Sequence, residues 1–541
     1  MMMHIETRQS STLRCGLALV VVTLLGCGPE ETSTLGPDNS CTPTQPAPYA
    51  QGIPYLGIHA DAGNSDVISC ATADRFEESW HSLEGMGLTQ PNTFSPDGKT
   101  TYATTTNPLP EGCRLHAIDA LTGAPIWCRT YPPTIGQSAV EVDSQGKLYF
   151  SVEDRIVSLD AQGNDLWEVD FEADGAADSP WGVHFTPDGH IATVTSSGVV
   201  YILSREDGRV LSSLDIQETY GFVAPEPLDL PLDLTSVLPQ PIQDNIRTVW
   251  GEPEDASDAG AAFSGFLGAG SFVDNTLAVS RHGHIYVVGG GPDLDHGALV
   301  QIKVSGTPQA PVMSPGWAAH TVGGSASSPS VNRTATHVVV ADGSSTQNLL
   351  SPGSVPASVK VVDIASCDAN TDSDPDAALC GFAFEEPVER SALPGAPAIE
   401  DDGTVIFYEF GLDFSASPED RDVVALGPEG IRWETALPGD LDWTSVITVT
   451  DNHIIGTASK VTLSDQKLLG LAFPTQTQDK LVMLDRESGE LVFEAEVPDD
   501  SSATVTIGPD GSLYVGVLGL LSVLSIEEQP NLGLVRFAPQ P

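Results

Sequence analysis

The 541-residue chain carries 74 acidic against 23 basic side chains, a formal net charge of −51, which repels phosphate backbones and argues against nucleic-acid binding. Apolar residues make up 40% of it, enough for a globular core rather than a disordered chain. Acidity of this size suits a salty medium that screens self-repulsion, or a surface that takes up divalent cations.

In chain order, Arg8 and Arg14 precede an apolar stretch from Gly16 to Leu25 that closes Leu24-Leu25-Gly26-Cys27. A basic head with a short apolar core reads as a secretory signal, too short for a membrane span. Its ending resembles a bacterial lipobox, which implies lipidation of Cys27 as the new N-terminus. Gly28 gives no inner-membrane retention signal, so a Gram-negative host would send the chain to its outer membrane. Cleavage would remove Glu6, Arg8 and Arg14, leaving 73 acidic and 21 basic side chains and a charge of −52. The expected organisation is a signal peptide over 1–26, a Pro-rich flexible tether over 27–48, and one domain over 49–541 with an insertion at 217–270.

Beyond the tether, a turn followed by a β-branched or aromatic run recurs eight times. Pro96-Asp97-Gly98 precedes Thr101–Thr105, Gln145-Gly146 precedes Leu148–Val152, and Pro187-Asp188-Gly189 precedes Ile191–Thr195. His282-Gly283 precedes Ile285–Val288, Arg333–Thr336 precedes His337–Val340, and Asp402-Gly403 precedes Val405–Tyr408. Asp451-Asn452 precedes Ile454–Thr457, and Pro509-Asp510-Gly511 precedes Leu513–Val517. A second phrase is interleaved with these, complete in Ala117-Ile118-Asp119-Ala120-Leu121-Thr122-Gly123-Ala124-Pro125-Ile126-Trp127. Weaker copies are Ser158–Trp167, Ile202–Ser212 and Met483–Phe493, and Trp433 stands at an equivalent place. In each, the Asp can accept turn amides, the Gly supplies a positive φ, and the aromatic on the following strand can fill space against a neighbouring repeat.

Read as A-x-D-x-x-T-G-x-x-x-W, the phrase resembles the repeat of the quinoprotein-like (pyrroloquinoline-quinone-repeat) β-propeller family, over roughly residues 70–537. The resemblance implies an all-β chain forming a single β-propeller of eight four-stranded blades. The outer strand suggested by Phe76-Glu77-Glu78-Ser79-Trp80 would let the N-terminal segment close the last blade. Seven blades with an irregular cap is the competing count. The family holds quinone dehydrogenases as well as non-catalytic assembly lipoproteins, so fold alone does not choose a function.

Six cysteines remain after Cys15 and Cys27, in an exported, oxidising setting. Cys113 and Cys128 stand at matching ends of two strands, Cys367 and Cys380 flank the corresponding loop of a later blade, and Cys41 and Cys70 are left over. Three sequential disulfides are expected, among the connectivities that six cysteines allow. Strand alternation puts the long segments 217–270, 291–297, 343–358, 411–421 and 459–479 on one face, with mostly minimal turns opposite. This insertion-bearing face is the expected binding surface for a protein or small ligand. Gln90, Ser138, Trp181, Asp442 and Trp443, at the starts of inner strands, are its candidate channel-mouth residues.

On the opposite face, Asp368, Asn370, Asp372, Asp374 and Asp376 place oxygen at every second position, as a calcium loop does. A solvated acidic loop stapled by Cys367 and Cys380 explains them equally well. His282, His284, Asp293 and His296 fall at opposite ends of one strand, on the order of 17 Å apart at ~3.3 Å per residue, and cannot share an ion. No nucleophile elbow, zinc-protease, haem or phosphate-loop motif occurs. The vicinal disulfide and axial calcium triad that quinoproteins commonly use are not found either, which argues against pyrroloquinoline quinone. The reading is a non-catalytic, lipid-anchored envelope propeller acting as a binding or assembly platform, touching the membrane only through its anchor. The alternative is a periplasmic quinone- or calcium-dependent oxidoreductase.

Overall fold

The computed structural model describes residues 41, 43–88, 90–105, 113–131, 138–173, 176–222, 238–250, 272–273, 275–290, 297–322, 327–342, 357–369, 380–390, 395–410, 420–468 and 471–541. Cys27 and most of the tether lie outside them. Eight antiparallel sheets follow one another as blades spanning 93–130, 141–170, 184–215, 278–321, 330–387, 398–435, 442–496 and 506–539. Each is a four-strand meander, except that the inner strand of blade 7 is split into Asp442–Trp443 and Thr448–Val449. The eight turn-and-run signals all mark second strands, from Thr100–Thr104 to Leu513–Val517. Eight blades therefore hold and seven do not. The outer strand of blade 8 is Phe76–Ser82, pairing from Phe76 with Pro539 to Ser82 with Leu534, so the N-terminal segment closes the ring.

The repeat explains how blades hold one another. Asp119 Oδ1 accepts the amide and hydroxyl of Thr122, both at 2.8 Å, and Asp485 binds the amide and hydroxyl of Ser488 in the same way. The Thr122 and Ser488 hydroxyls keep these two carboxyls below the usual carboxylate range. Gly163, at φ +80°, is the bed for the preceding blade's indole: a Cβ there would sit 3.1 Å from the Trp127 ring. Trp127 Nε1 then donates to Ala161 O at 3.1 Å, Trp167 Nε1 to Arg205 O at 3.1 Å, and Trp433 Nε1 to Arg486 O at 3.2 Å. Each of these three outer-strand Trp residues thus stacks over the next blade's turn and bonds its carbonyl. Trp80 lies over Gly123 likewise, so the closing seam copies the stacking of the other seams, while its Nε1 makes no hydrogen bond.

All three disulfides form in sequential order, Cys41–Cys70, Cys113–Cys128 and Cys367–Cys380, with Cα separations of 5.3, 5.6 and 5.4 Å. Cys367 ends a short helix, Ile364–Asp368, which begins where Asp363 caps it through Ser366 N. The face opposite the long insertions is not uniformly minimal. Blade 4 extends its last two strands there as a hairpin, Gly297–Thr307 and Ala310–Thr321.

Candidate functional site: the axis and the insertion-bearing rim

Residues 49–68 fill the axis. The chain crosses the minimal-turn face, where Ser144 N donates to Pro48 O and Asp451 N to Cys70 O, and between these points it rises into the channel. The innermost strands present unpaired edges to the axis, and the segment meets them one after another. In blades 3 to 7 the amide at the second inner-strand position finds an acceptor on it. Phe185 N donates to Tyr49 Oη at 3.4 Å, Val279 N to Ala62 O at 2.6 Å and Val331 N to Gly63 O at 2.6 Å. Ile399 N donates to Ser65 O at 3.0 Å and Val449 N to Asp66 O at 2.8 Å. Asn64, in the left-handed region at φ 56°, turns its Nδ2 to Leu277 O (3.0 Å) and Pro329 O (2.9 Å).

A buried polar relay continues from this segment. Asp66 Oδ2 lies 2.7 Å from His59 Nδ1, and His59 Nε2 lies 3.2 Å from Ser328 Oγ. Ser328 Oγ and Thr276 N both donate to Asn275 Oδ1, each at 2.8 Å. Thr276 Oγ1 meets His184 Nε2 at 3.2 Å, and His184 Nδ1 meets Glu141 Oε1 at 2.9 Å. Tyr49 Oη donates to Glu141 Oε2 at 3.1 Å. Burial pushes the Glu141 carboxyl up against the pull of His184, and pushes both Tyr49 and Tyr55 well up. The order hydroxyl, imidazole, carboxylate in Ser328, His59 and Asp66 is that of an activated nucleophile. However, Ser328 and Asp66 are 0% exposed and His59 4%, so no substrate reaches them in this arrangement. As built, the relay satisfies polar groups that the axial segment buries.

The rim is built from three interlocked insertions. Helix Gln240–Trp250, from the long connection between blades 3 and 4, reaches the far side of the ring. There Asn245 Nδ2 donates to Ser522 O (3.0 Å), Ser525 O (3.2 Å) and Glu528 O (2.9 Å), carbonyls at and beyond the end of the short helix Leu520–Val523 of blade 8. Ile242 is buried beside it, and Ile246 packs on Val523 and Leu532. The blade 7 hairpin, His453–Leu468 with Leu471–Asp485, leans on the same loop through Ile526 N to Pro474 O and Thr477 N to Glu528 Oε2.

Acids are enclosed between these insertions. Asp500 caps helix Leu520–Val523 through Leu521 N at 2.7 Å, and Asp499 Oδ2 accepts Ser522 Oγ at 2.6 Å. Asp479 is bound through one oxygen to Thr477 Oγ1, and the buried Ser459 hydroxyl opposes the effect of burial on its carboxyl. Burial, reinforced by Asp499 and Glu528, pushes Asp479 up to about 7. In the same blade, Asp442 stands across from Ser459, which in turn stands across from Asp479. Arg390 bridges Asp442 and Asp422, and burial beside Asp442 pushes Asp422 up to about 7.

These placements sort the sequence candidates. Gln90 and Trp181 are partly exposed, and Trp181 Nε1 is enclosed with no hydrogen-bond acceptor. Ser138 is buried, accepting Ser151 N, and Asp442 is committed to Arg390. Trp443 does not line the mouth: it is fully buried, seated on Gly456, with Nε1 donating to Ser445 O at 2.7 Å. Asp368 pairs with Lys303 at 3.0 Å, and Asn370, Asp372, Asp374 and Asp376 lie outside the described residues. Among the described residues no group of three or more His, Cys, Asp or Glu is arranged to hold a metal ion. Sequence reasoning missed the axial residues His59, Asn64 and Asp66. The one available signal was a polar run, His59 to Asp66, set between apolar residues with no strand alternation.

Comparison with known proteins agrees with the ring. Residues 152–226 match the profile of the family described as outer membrane protein assembly factor BamB, a pyrroloquinoline-quinone-repeat family. No curated protein sequence matches the chain significantly. Among solved structures, the quinohemoprotein alcohol dehydrogenase of Comamonas testosteroni is similar at 14% identity and a TM-score of 0.50, over 91% of this chain and 81% of that one. The alcohol dehydrogenase ADHIIG of Pseudomonas putida HK5 gives 14% and 0.51, over 90% and 80%. BamB of Moraxella catarrhalis gives 11% and 0.42, over 86% and 99%. Blade count and seam chemistry together identify the chain as an eight-bladed β-propeller, of which residues 152–226 match a pyrroloquinoline-quinone-repeat profile.

Proposed function

We propose that the chain is a non-catalytic, lipid-anchored propeller of the bacterial envelope that serves as a binding or assembly platform through its insertion-bearing rim. The observation that carries this reading is the interlocking of insertions from blades 3–4, 7 and 8 around Asn245, which gives one face a preformed relief. Loops held by specific bonds, rather than drifting, are what a recognition surface requires. The matched assembly-factor profile over 152–226 supports the same class of role. The anchor would be Cys27. No helix among the described residues is long and apolar enough to cross a membrane. Calcium at the Asp368 loop belongs to this proposal as an accessory ion, and pyrroloquinoline quinone does not.

The second reading, a quinone-dependent oxidoreductase, draws on the fold likeness to two quinohemoprotein-type alcohol dehydrogenases, at 14% identity each. Two measurements test the proposal. Replacing 238–250 with a short Gly-Ser linker should abolish in-cell cross-links to envelope partners while changing the melting temperature little, and Cys27→Ser should release the protein from the detergent phase. Dye-linked alcohol or sugar oxidation after adding pyrroloquinoline quinone and calcium would overturn it.

A further inference from the structure

We infer that residues 49–70 are a cis-acting ligand of the propeller axis, standing where the family resemblance would put a cofactor. The inference is independent of what the rim binds. Five consecutive blades, 3 to 7, each offer the amide of the second inner-strand residue to this one segment. Ala62, Gly63, Ser65 and Asp66 supply four of the acceptors as backbone carbonyls, so the chain winds about the axis at close to one carbonyl per blade. A ring of inward N–H groups is a site for oxygen acceptors, and unmet it would leave several buried donors orphaned. The segment meets them with a shape that is costly to adopt. Asn64 and Asp66 both hold positive φ, at 56° and 54°. Gly63 approaches so closely that a Cβ would lie 2.8 Å from Val331 O. Strain and close approach are kept where the surroundings over-determine them, as for a bound ligand.

The two ends of the segment are fixed as well. Cys41 joins Cys70 on the minimal-turn face, so the axial segment is a closed loop of the chain, inserted into the ring from one side. Its interior is committed: Asp66 to His59 and Ala60 N, His59 to Ser328, and Asn64 to Leu277 and Pro329. An axial quinone with its calcium does not fit these residues, because apart from Asn64 Oδ1 the polar groups named here are already paired within the segment or with the ring.

Hydrogen exchange on the full-length oxidised protein, read in short peptides by mass spectrometry, tests this. In the wild type, amides of 59–68 should exchange as slowly as the inner strands, within about threefold. Gly63→Ala wedges the segment off Val331, and Asn64→Ala removes two donors. Each should speed exchange at least tenfold in peptides holding Val279, Val331, Ile399 and Val449, and much less at Thr93–Phe94 of blade 1. A wild-type segment exchanging a hundredfold faster than the inner strands would overturn the inference without any variant having to fold. Saturable binding of pyrroloquinoline quinone with calcium to the wild type, followed by quenching of Trp fluorescence and accompanied by faster exchange at 59–68, would also overturn it.

Discussion

The axis and the rim solve the same problem, polar groups taken out of water, with opposite results. On the axis nearly every donor and acceptor is matched: two histidines stand between two carboxylates and two hydroxyls, and five inner-strand amides are met in turn. On the rim the matching is incomplete. Arg390 Nη2 is buried without a hydrogen-bond partner, and two aspartates are pushed up to about 7. Completed networks rigidify, whereas incomplete ones leave free energy to be gained by a proton or a partner. The axis therefore behaves as part of the core, and the rim as the place where the molecule can respond.

The sharpest way to break this contrast is at His59. His59→Ala takes from the fully buried Asp66 its shortest hydrogen bond, leaving only Ala60 N and Tyr55 Oη, and an unmet buried polar group costs about 3 kcal/mol, more if charged. Denaturant melting should show that loss as a single cooperative transition of the whole ring. A local effect confined to residues 41–70 would make the axis an accessory. Next in size are the seams. Trp127→Ala, Trp167→Ala and Trp433→Ala each empty the bed above a turn glycine and remove one interblade bond, for about 3 kcal/mol apiece. Thermal unfolding should rank all three well above any change made in 238–250.

At the rim the effects should be smaller and local. Asn245→Ala removes the donor that serves three carbonyls, for about 1–2 kcal/mol. Limited proteolysis should then cut near 238–250 while the melting temperature stays within a few degrees. The smallest effect is one of pH. Asp479 has a folded pKa of about 7 against an ordinary 3.8, so the folded state holds its proton more tightly. Its contribution to stability is full below about pH 4 and is lost as pH rises through about 7. Asp479→Asn should flatten the stability profile between those limits, and an unchanged slope there would remove Asp479 from the account.

How much of this was legible depended on range. The Asp–Gly–Trp phrase encodes a turn and a seam, both made by residues close in sequence or one blade away, so its copies could be read directly, as at Asp119, Gly123 and Trp127. The cysteine pairs were legible for the same reason, each staple closing a short span. The axial segment was not. Asn64 meets partners 213 and 265 residues away, and His59 one 269 away, with no periodicity to announce either. Trp443 misled because an aromatic at an inner-strand start can face the channel or the blade core, and the small residue at Gly456 that receives it sits on another strand.

The seam between Phe76–Ser82 and Gly533–Pro539 also sets an order of events for synthesis. The first strand made has its partner in the last one made, and Trp80 waits for it before covering Gly123. Until Gly533–Pro539 has been made, the ring stays open and Phe76–Ser82 lacks its partner. A ring fastened in this way postpones its own completion, staying pliable until its late strand meets its early one.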